Sequence, residues 1–384
     1  MSAQSKQSSL LIIRSQYFLY FGVFGIYLPY FNLYCYHLGF SGTQIGTLSA
    51  FRSLVLVIFP LIWGALADRF RLRRSIYIGC NMLSTLIWLL YFTTVDFWPM
   101  IIITVAHGIF YAPMISFLEA FTMDALGQEK ESYGRIRAWG SIAFIFMVVV
   151  FGRLIDLFQI ELILVLILAG SLLQSAASIG IPRIDVITKK HFRPDARSLL
   201  APRVIVFLFC GFLMLASHGA YYGFFSIHLQ NLGYSNTFIG ITWALASIAE
   251  ILVMIKSGRI FKRFSLEKVL AFSFLVATLR WLVLFFVHSP VLILLAQALH
   301  AVTYGTFHMA SILYIDHLTP EKSKTLGQSV NNAVQYGLGL MVGFFLNGYL
   351  YERAGSSMLF IISGFIALAG GLIFGGYVWM KQSD

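Results

Sequence analysis

Apolar runs of about twenty residues, separated by short polar breaks, fill almost the whole chain. Twelve can be marked, at 14–37, 43–67, 75–95, 98–121, 133–156, 160–181, 203–229, 236–260, 266–287, 291–315, 325–350 and 356–380. A helix rises about 1.5 Å per residue, so each run can cross roughly 30 Å of hydrocarbon. In lipid, only helices and closed barrels satisfy their own backbone, and runs this long and unbroken are helical. The pattern predicts an all-α integral membrane protein with twelve transmembrane helices. The longest break, 182–202, holds Pro182, Pro194 and Pro202 with Arg183, Lys189, Lys190, Arg193 and Arg197. It reads as a basic linker between a six-helix bundle at 1–181 and another at 203–384.

The two bundles share one plan. Residues 25–70 recur at 219–264 with a constant offset of 194. Gly25, Tyr27 and Phe31 return as Gly219, Tyr221 and Phe225. Leu38-Gly39-Phe40-Ser41 returns as Leu232-Gly233-Tyr234-Ser235, and Gly64, Arg69 and Phe70 return as Gly258, Arg263 and Phe264. Pseudo-symmetric halves that rock about a shared site are a common design for secondary transporters.

Composition removes other classes. The chain is 59% hydrophobic and 11% charged over 384 residues, so lipid is its solvent and a soluble globular protein is excluded. Positive residues set the orientation. With both termini cytoplasmic, only Arg153 and Arg353 of 27 Lys and Arg fall on the outer side, and Arg52, Arg137 and Arg280 fall within spans. The net charge of +11 then faces anionic lipid, and nucleic acid is not an expected partner. Lys6 and Arg14 precede an apolar run too long for a signal peptide, so this run is expected to be helix 1. Cys35, Cys80 and Cys210 form no disulfide framework or metal spacing. No phosphate-binding Gly-Lys-Ser/Thr loop, metal-ligand run or nucleophile motif appears. Neither an enzyme nor an ATP-driven pump is expected, and no cofactor or metal.

After helix 2 comes Gly64-Ala65-Leu66-Ala67-Asp68-Arg69-Phe70-Arg71-Leu72-Arg73-Arg74. This resembles the loop 2–3 signature of the major facilitator superfamily. Gly64 would allow close helix approach. Asp68 would accept from arginines such as Arg69 and Arg73 or from a helix N-terminus across the boundary between the halves.

Charges within spans cost roughly 2.5–3.5 kcal/mol each on insertion scales and need a reason. They are Arg52, Glu119, Arg137, Glu250 and Arg280, joined by His107, His218, His300 and His308. Glu119 and Arg137 sit at similar depth on consecutive helices, and Glu250 and Arg280 form a second candidate pair beside His300. Two readings stand: the pairs lock helices together, or an arginine binds a substrate carboxylate while a glutamate carries a proton. His107-x-x-x-Tyr111 matches His300-x-x-x-Tyr304 at an offset of 193, and i, i+4 places each pair on one helical face. Tyr27, Tyr30 and Phe31 on helix 1, and Tyr221, Tyr222, Phe224 and Phe225 on helix 7, are packing residues or cavity-facing ones. Pro29, Pro60 and Pro113 are expected to kink their helices.

Further segments resemble bacterial phenylpropionate transporters, a branch of the major facilitator superfamily related to lactose permease. They are Tyr133-Gly134-Arg135-Ile136-Arg137-Ala138-Trp139-Gly140-Ser141, Gly219-Ala220-Tyr221-Tyr222-Gly223-Phe224, Ala249-Glu250, Arg280-Trp281 and Gln297-Ala298-Leu299-His300. The resemblance implies a proton symporter of that fold. It aligns Glu119 and Arg137 with substrate-site residues of lactose permease, and Glu250, Arg280 and His300 with its substrate and proton residues. Thr303 stands where that family has a proton-carrying Glu, and Gln297 where it has a Lys. Glu250 or Glu119, assisted by His300, then becomes the expected proton carrier.

The expected protein is a multi-pass carrier of the bacterial inner membrane, acting as a monomer by alternating access. It would take up a small organic solute with protons, an aromatic monocarboxylate such as 3-phenylpropionate being the first choice. Arg52, Arg137 or Arg280 would hold the carboxylate, and Tyr27, Tyr221 and Tyr222 would contact the ring. The alternatives are a carrier of a sugar, nucleoside or drug-like solute, including efflux, and a non-transporting membrane receptor.

Overall fold

A computed structural model describes residues 3–183 and 196–383, so most of the expected basic linker, including Lys189, Lys190, Arg193 and Pro194, lies outside the described residues. All regular structure among the described residues is helical. The helices are α1 (Gln7–His37), α2 (Gly42–Phe70), α3 (Arg73–Phe92), α4 (Phe97–Leu126), α5 (Lys130–Leu157), α6 (Leu162–Ser178), α7 (Pro202–Asn231), α8 (Asn236–Arg263), α9 (Leu266–Phe286), α10 (Pro290–Leu318) and α11 (Glu321–Met380). Helix α11 holds two of the twelve spans, parted at Gly355, whose φ of 73° breaks the helix. The last two apolar runs therefore meet at a glycine corner instead of a loop. Helix α6 is the shortest.

The repeated Leu-Gly-Phe/Tyr-Ser segment is a helix stop followed by a helix start. Gly39 and Gly233 take φ of 83° and 84°. Phe40 N–H donates to Cys35 O and Tyr234 N–H to Leu229 O, while Gly39 and Gly233 donate three residues back. This is the Schellman ending, which needs a residue at positive φ. Ser41 and Ser235 then cap the next helix, accepting from Gln44 N–H and Phe238 N–H. Gln44 returns the bond to Ser41 N–H and closes a capping box.

Two compact units emerge. One comprises Met1–Phe40, Leu54–Lys189 and Ser235–Ile241; the other comprises Ser41–Ser53, Lys190–Tyr234 and Thr242–Asp384. Each contains the start of one repeat-related helix from the opposite half of the sequence. Within the first unit, the carboxylate of Asp156 at the end of α5 accepts from Asn236 and Thr237 backbone N–H at 2.9 and 2.8 Å. Within the second, Glu352 accepts from Thr43 N–H at 2.8 Å. Small residues permit these approaches: a Cβ on Gly240 would collide with Val148 O, and one on Gly46 would lie 2.5 Å from Phe344 O.

Large apolar side chains such as Ile102, Ile255 and Phe286 point outward, while Gln16, Asn81, Gln174 and Gln335 are buried. That arrangement suits a surface in lipid and an interior of hydrogen-bonded polar groups.

Candidate functional site

In the first unit, α1, α4 and α5 bring an aromatic group around one arginine. Arg137 lies with its guanidinium carbon 3.9 Å from the Phe21 ring centroid and 5.7 Å from that of Tyr17. No hydrogen bond or ion pair joins it to any described residue, Glu119 included. Glu119 instead accepts from the Tyr133 hydroxyl at 3.4 Å, although Arg137 remains within electrostatic reach of it. The expected acid–arginine neighbours are therefore near one another without pairing. A π face satisfies the charge of a guanidinium but not its planar N–H fork.

Tyr27 packs deeper in the same unit, among Phe31, Trp88 and His107. His107 stacks on Tyr111 at 5.1 Å and 22°, the geometry that i, i+4 spacing predicts.

In the second unit, α7, α8, α9 and α10 converge on Arg280, which is fully buried. Its Nε donates to Ala296 O at 2.9 Å, one terminal nitrogen to Thr303 Oγ1 at 3.2 Å, and the other to Gln297 Oε1 at 3.0 Å. The first terminal nitrogen also meets His300 Nδ1 at 3.0 Å. Arginine can only donate, so Nδ1 accepts, and a neutral imidazole must carry its hydrogen on Nε2. That Nε2 faces Glu250 Oε2 at 3.9 Å. His300 thus links the arginine to the acid.

Thr303 and Gln297, two of the departures from the lactose permease pattern, are among the side chains that hold Arg280. Tyr221 lies against Arg280, with the guanidinium carbon 4.4 Å from its ring centroid, and contacts Trp243 and His300. Tyr222 joins His300 and Tyr304. His300 stacks on Tyr304 at 5.1 Å and 11°, repeating the His107–Tyr111 pair.

Sequence reasoning named His218, Tyr304 and His308 as residues within spans and missed Tyr336. His218 donates from Nδ1 to Met214 O, and its buried Nε2 has no protein partner among the described residues. Tyr304, Tyr336 and His308 extend the cluster along α10 and α11. Spacing of four and eight residues from His300 was the available signal for Tyr304 and His308. Tyr336 had none, because it arrives from another helix. Arg52 is buried in the second unit's part of α2, one residue before Ser53, which donates to Tyr336 O.

The loop motif forms a small charged knot in the first unit. Arg73 bonds Asp124 at 2.7 Å and lies 3.7 Å from Asp68. Arg74 donates to Ile181 O and Ile179 O, just past the end of α6, a favourable place for a cation. Arg69 lies over its neighbour Phe70. Gly64 makes no close approach, since a Cβ there would meet no atom within 4 Å. Arg71 takes a φ of 55° and turns the chain at the end of α2.

The sequence pattern of the MFS_1 like family matches residues 10–362. The "Probable 3-phenylpropionic acid transporter" of Escherichia coli (strain K12) is 26% identical over 359 residues, covering 90% of this chain and 92% of that protein. The "Maltose permease" of Geobacillus stearothermophilus is 24% identical, covering 93% and 91%. Among solved structures, the nucleoside transporter NupG superposes with a TM-score of 0.83 at 16% identity, covering 96% of this chain and 98% of that one. The last likeness establishes the fold.

Proposed function

The chain belongs to the MFS_1 like family, and we propose on that premise that it imports a small aromatic monocarboxylate together with protons. Its relatives are transporters rather than enzymes. One observation carries the choice of an acid: Arg137 lies on aromatic faces, and no described residue accepts a hydrogen bond from it. A carboxylate matches the guanidinium fork with two parallel charge-assisted bonds. The relative named for 3-phenylpropionic acid supports the same class.

In the second unit, Glu250 is the proton carrier in this reading. A mid-span carboxylate is favoured as the neutral acid when desolvated. His300 Nε2 lies 3.9 Å from Glu250 Oε2. Small changes in that contact then decide whether Glu250 holds its proton. The carrier works as a monomer by alternating access in a bacterial inner membrane, both termini cytoplasmic.

Uptake by reconstituted vesicles tests the reading, with 3-phenylpropionate, uridine and maltose as solutes and a pH gradient imposed. We expect gradient-driven accumulation of 3-phenylpropionate alone. Glu250→Gln should abolish accumulation while leaving exchange of labelled for unlabelled solute measurable. Accumulation of uridine or maltose instead would replace the substrate class, and unchanged accumulation by Glu250→Gln would remove that residue from proton coupling.

A further inference from the structure

Beyond Glu250 and His300, the face of α10 continues into a line of rings that the proposed function leaves unused. His300, Tyr304 and His308 are spaced by four residues and lie nearly parallel. The first two stack at 5.1 Å and 11°, the last two at 6.0 Å and 7°. Tyr336 meets both Tyr304 and His308 edge-on, and its hydroxyl bonds His308 Nδ1.

The backbone is unusual on both sides of this contact. Ala301–Thr306 and Ala333–Gly339 are π-helical turns. Such turns are rare and occur frequently at functional sites. Ser53 donates to Tyr336 O and Gly337 O within the second turn, which stabilises carbonyls that a π turn displaces from the regular ladder. At the first turn, Gly305 packs on Glu250: a Cβ there would come within 3.0 Å of its Cγ. The acid thus sits beside the turn that carries Tyr304.

We propose that Tyr304, Tyr336 and His308 form the route by which the proton on Glu250 leaves toward the Leu318 end of α10. This rests on the proton-coupled reading above. Under the orientation proposed there, α10 runs inward, so His308 lies two turns closer to the cytoplasm than His300. The transfer balances without a further reactant. As Tyr304 receives the proton of Glu250 on its oxygen, it releases its own to the Tyr336 oxygen. Tyr336 passes its own proton to His308 Nδ1, and His308 gives its Nε2 proton to water. A Tyr–His bond suits this step because it can be written in both directions: the hydroxyl donates to Nδ1, or accepts from Nδ1–H. The other titratable groups around the line include Tyr221, Tyr222, His218 and Arg280. Arg280 stands at the His300 end, so its positive charge favours departure toward His308.

The test uses vesicles loaded with a trapped pH dye and 3-phenylpropionate as the solute. In His308→Gln and in Tyr336→Phe, solute-driven proton entry should fall at least tenfold, while labelled exchange falls less than threefold. A purely structural role would lower both equally, and that result overturns the proposal, as does wild-type proton entry in either variant. Should His308→Gln misfold, judged by its elution as a dispersed species, Tyr336→Phe decides alone, since it removes one hydroxyl and keeps the ring. Wild-type vesicles that move solute with no proton entry would sink the proton-coupled reading itself, an outcome visible before any variant is made.

Discussion

Arg137 and Arg280 are both mid-span arginines, yet their surroundings assign them different work. Arg280 donates to Ala296, Gln297 and Thr303 and meets His300; Arg137 lies on rings with its donors unused by described residues. Arg280→Gln should therefore lower the melting temperature strongly, because it leaves buried acceptors unpaired at about 1–3 kcal/mol each. Arg137→Gln should leave stability nearly unchanged and weaken 3-phenylpropionate binding. One charge-assisted contact is worth about 1.5–3 kcal/mol, or roughly a ten- to hundredfold rise in Kd. Thermal unfolding in detergent and binding calorimetry separate the two, and reversed results would exchange the roles. The stacked His107–Tyr111 and His300–Tyr304 pairs were legible from spacing, because a helix fixes its own i, i+4 neighbours. The placement of Arg137 on Phe21 was not, because it depends on how α5 packs against α1.

Helix boundaries were legible for a related reason. Lipid forces each crossing into one continuous helix, so apolar length gives the spans, and a glycine–serine punctuation marks where α1 ends and α2 begins. The joining of two spans into α11 was hidden, since Gly355 works there as a corner and a sequence shows a glycine in a corner and one in a loop alike. Hidden too were the carboxylates that finish α2 and α8 from distant helices. Asp156 accepts from two backbone N–H groups of α8 and from the Asn236 and Thr237 side chains. An N-terminal cap of this kind contributes about 0.5–2 kcal/mol, and the helix dipole adds to it. Asp156→Ala should lower the unfolding midpoint measurably, and Asp156→Asn less, since an amide oxygen still accepts. Glu352→Ala should cost less than Asp156→Ala, because Glu352 holds one backbone N–H of α2. Equal effects from both would mean that the repeat-related helix starts are held by glycine packing rather than by their caps.

For the molecule as a whole, the strongest untested constraint is electrical. Twelve crossings, an even number, would bring both ends of the chain out on one side. The positive-inside rule would make that side the cytoplasm: Arg69, Arg71, Arg73 and Arg74 lie at and after the end of α2, while Lys256, Arg259, Lys262 and Arg263 close the repeat-related α8. Each such cation near an anionic leaflet is worth about 1 kcal/mol, so the inverted molecule would lose the benefit of two clusters at once. Cys35, Cys80 and Cys210 are all buried, and replacing them with Ser gives a background in which single new thiols report position. Val95→Cys, in the exposed break between α3 and α4, should react with a membrane-impermeant maleimide on right-side-out vesicles. Gln128→Cys, between α4 and α5, should react only after permeabilisation. The opposite pattern would place the basic clusters outside. It would also reverse the proton route argued for His308, because the Leu318 end of α10 would then face the exterior and the same line of rings would serve proton entry.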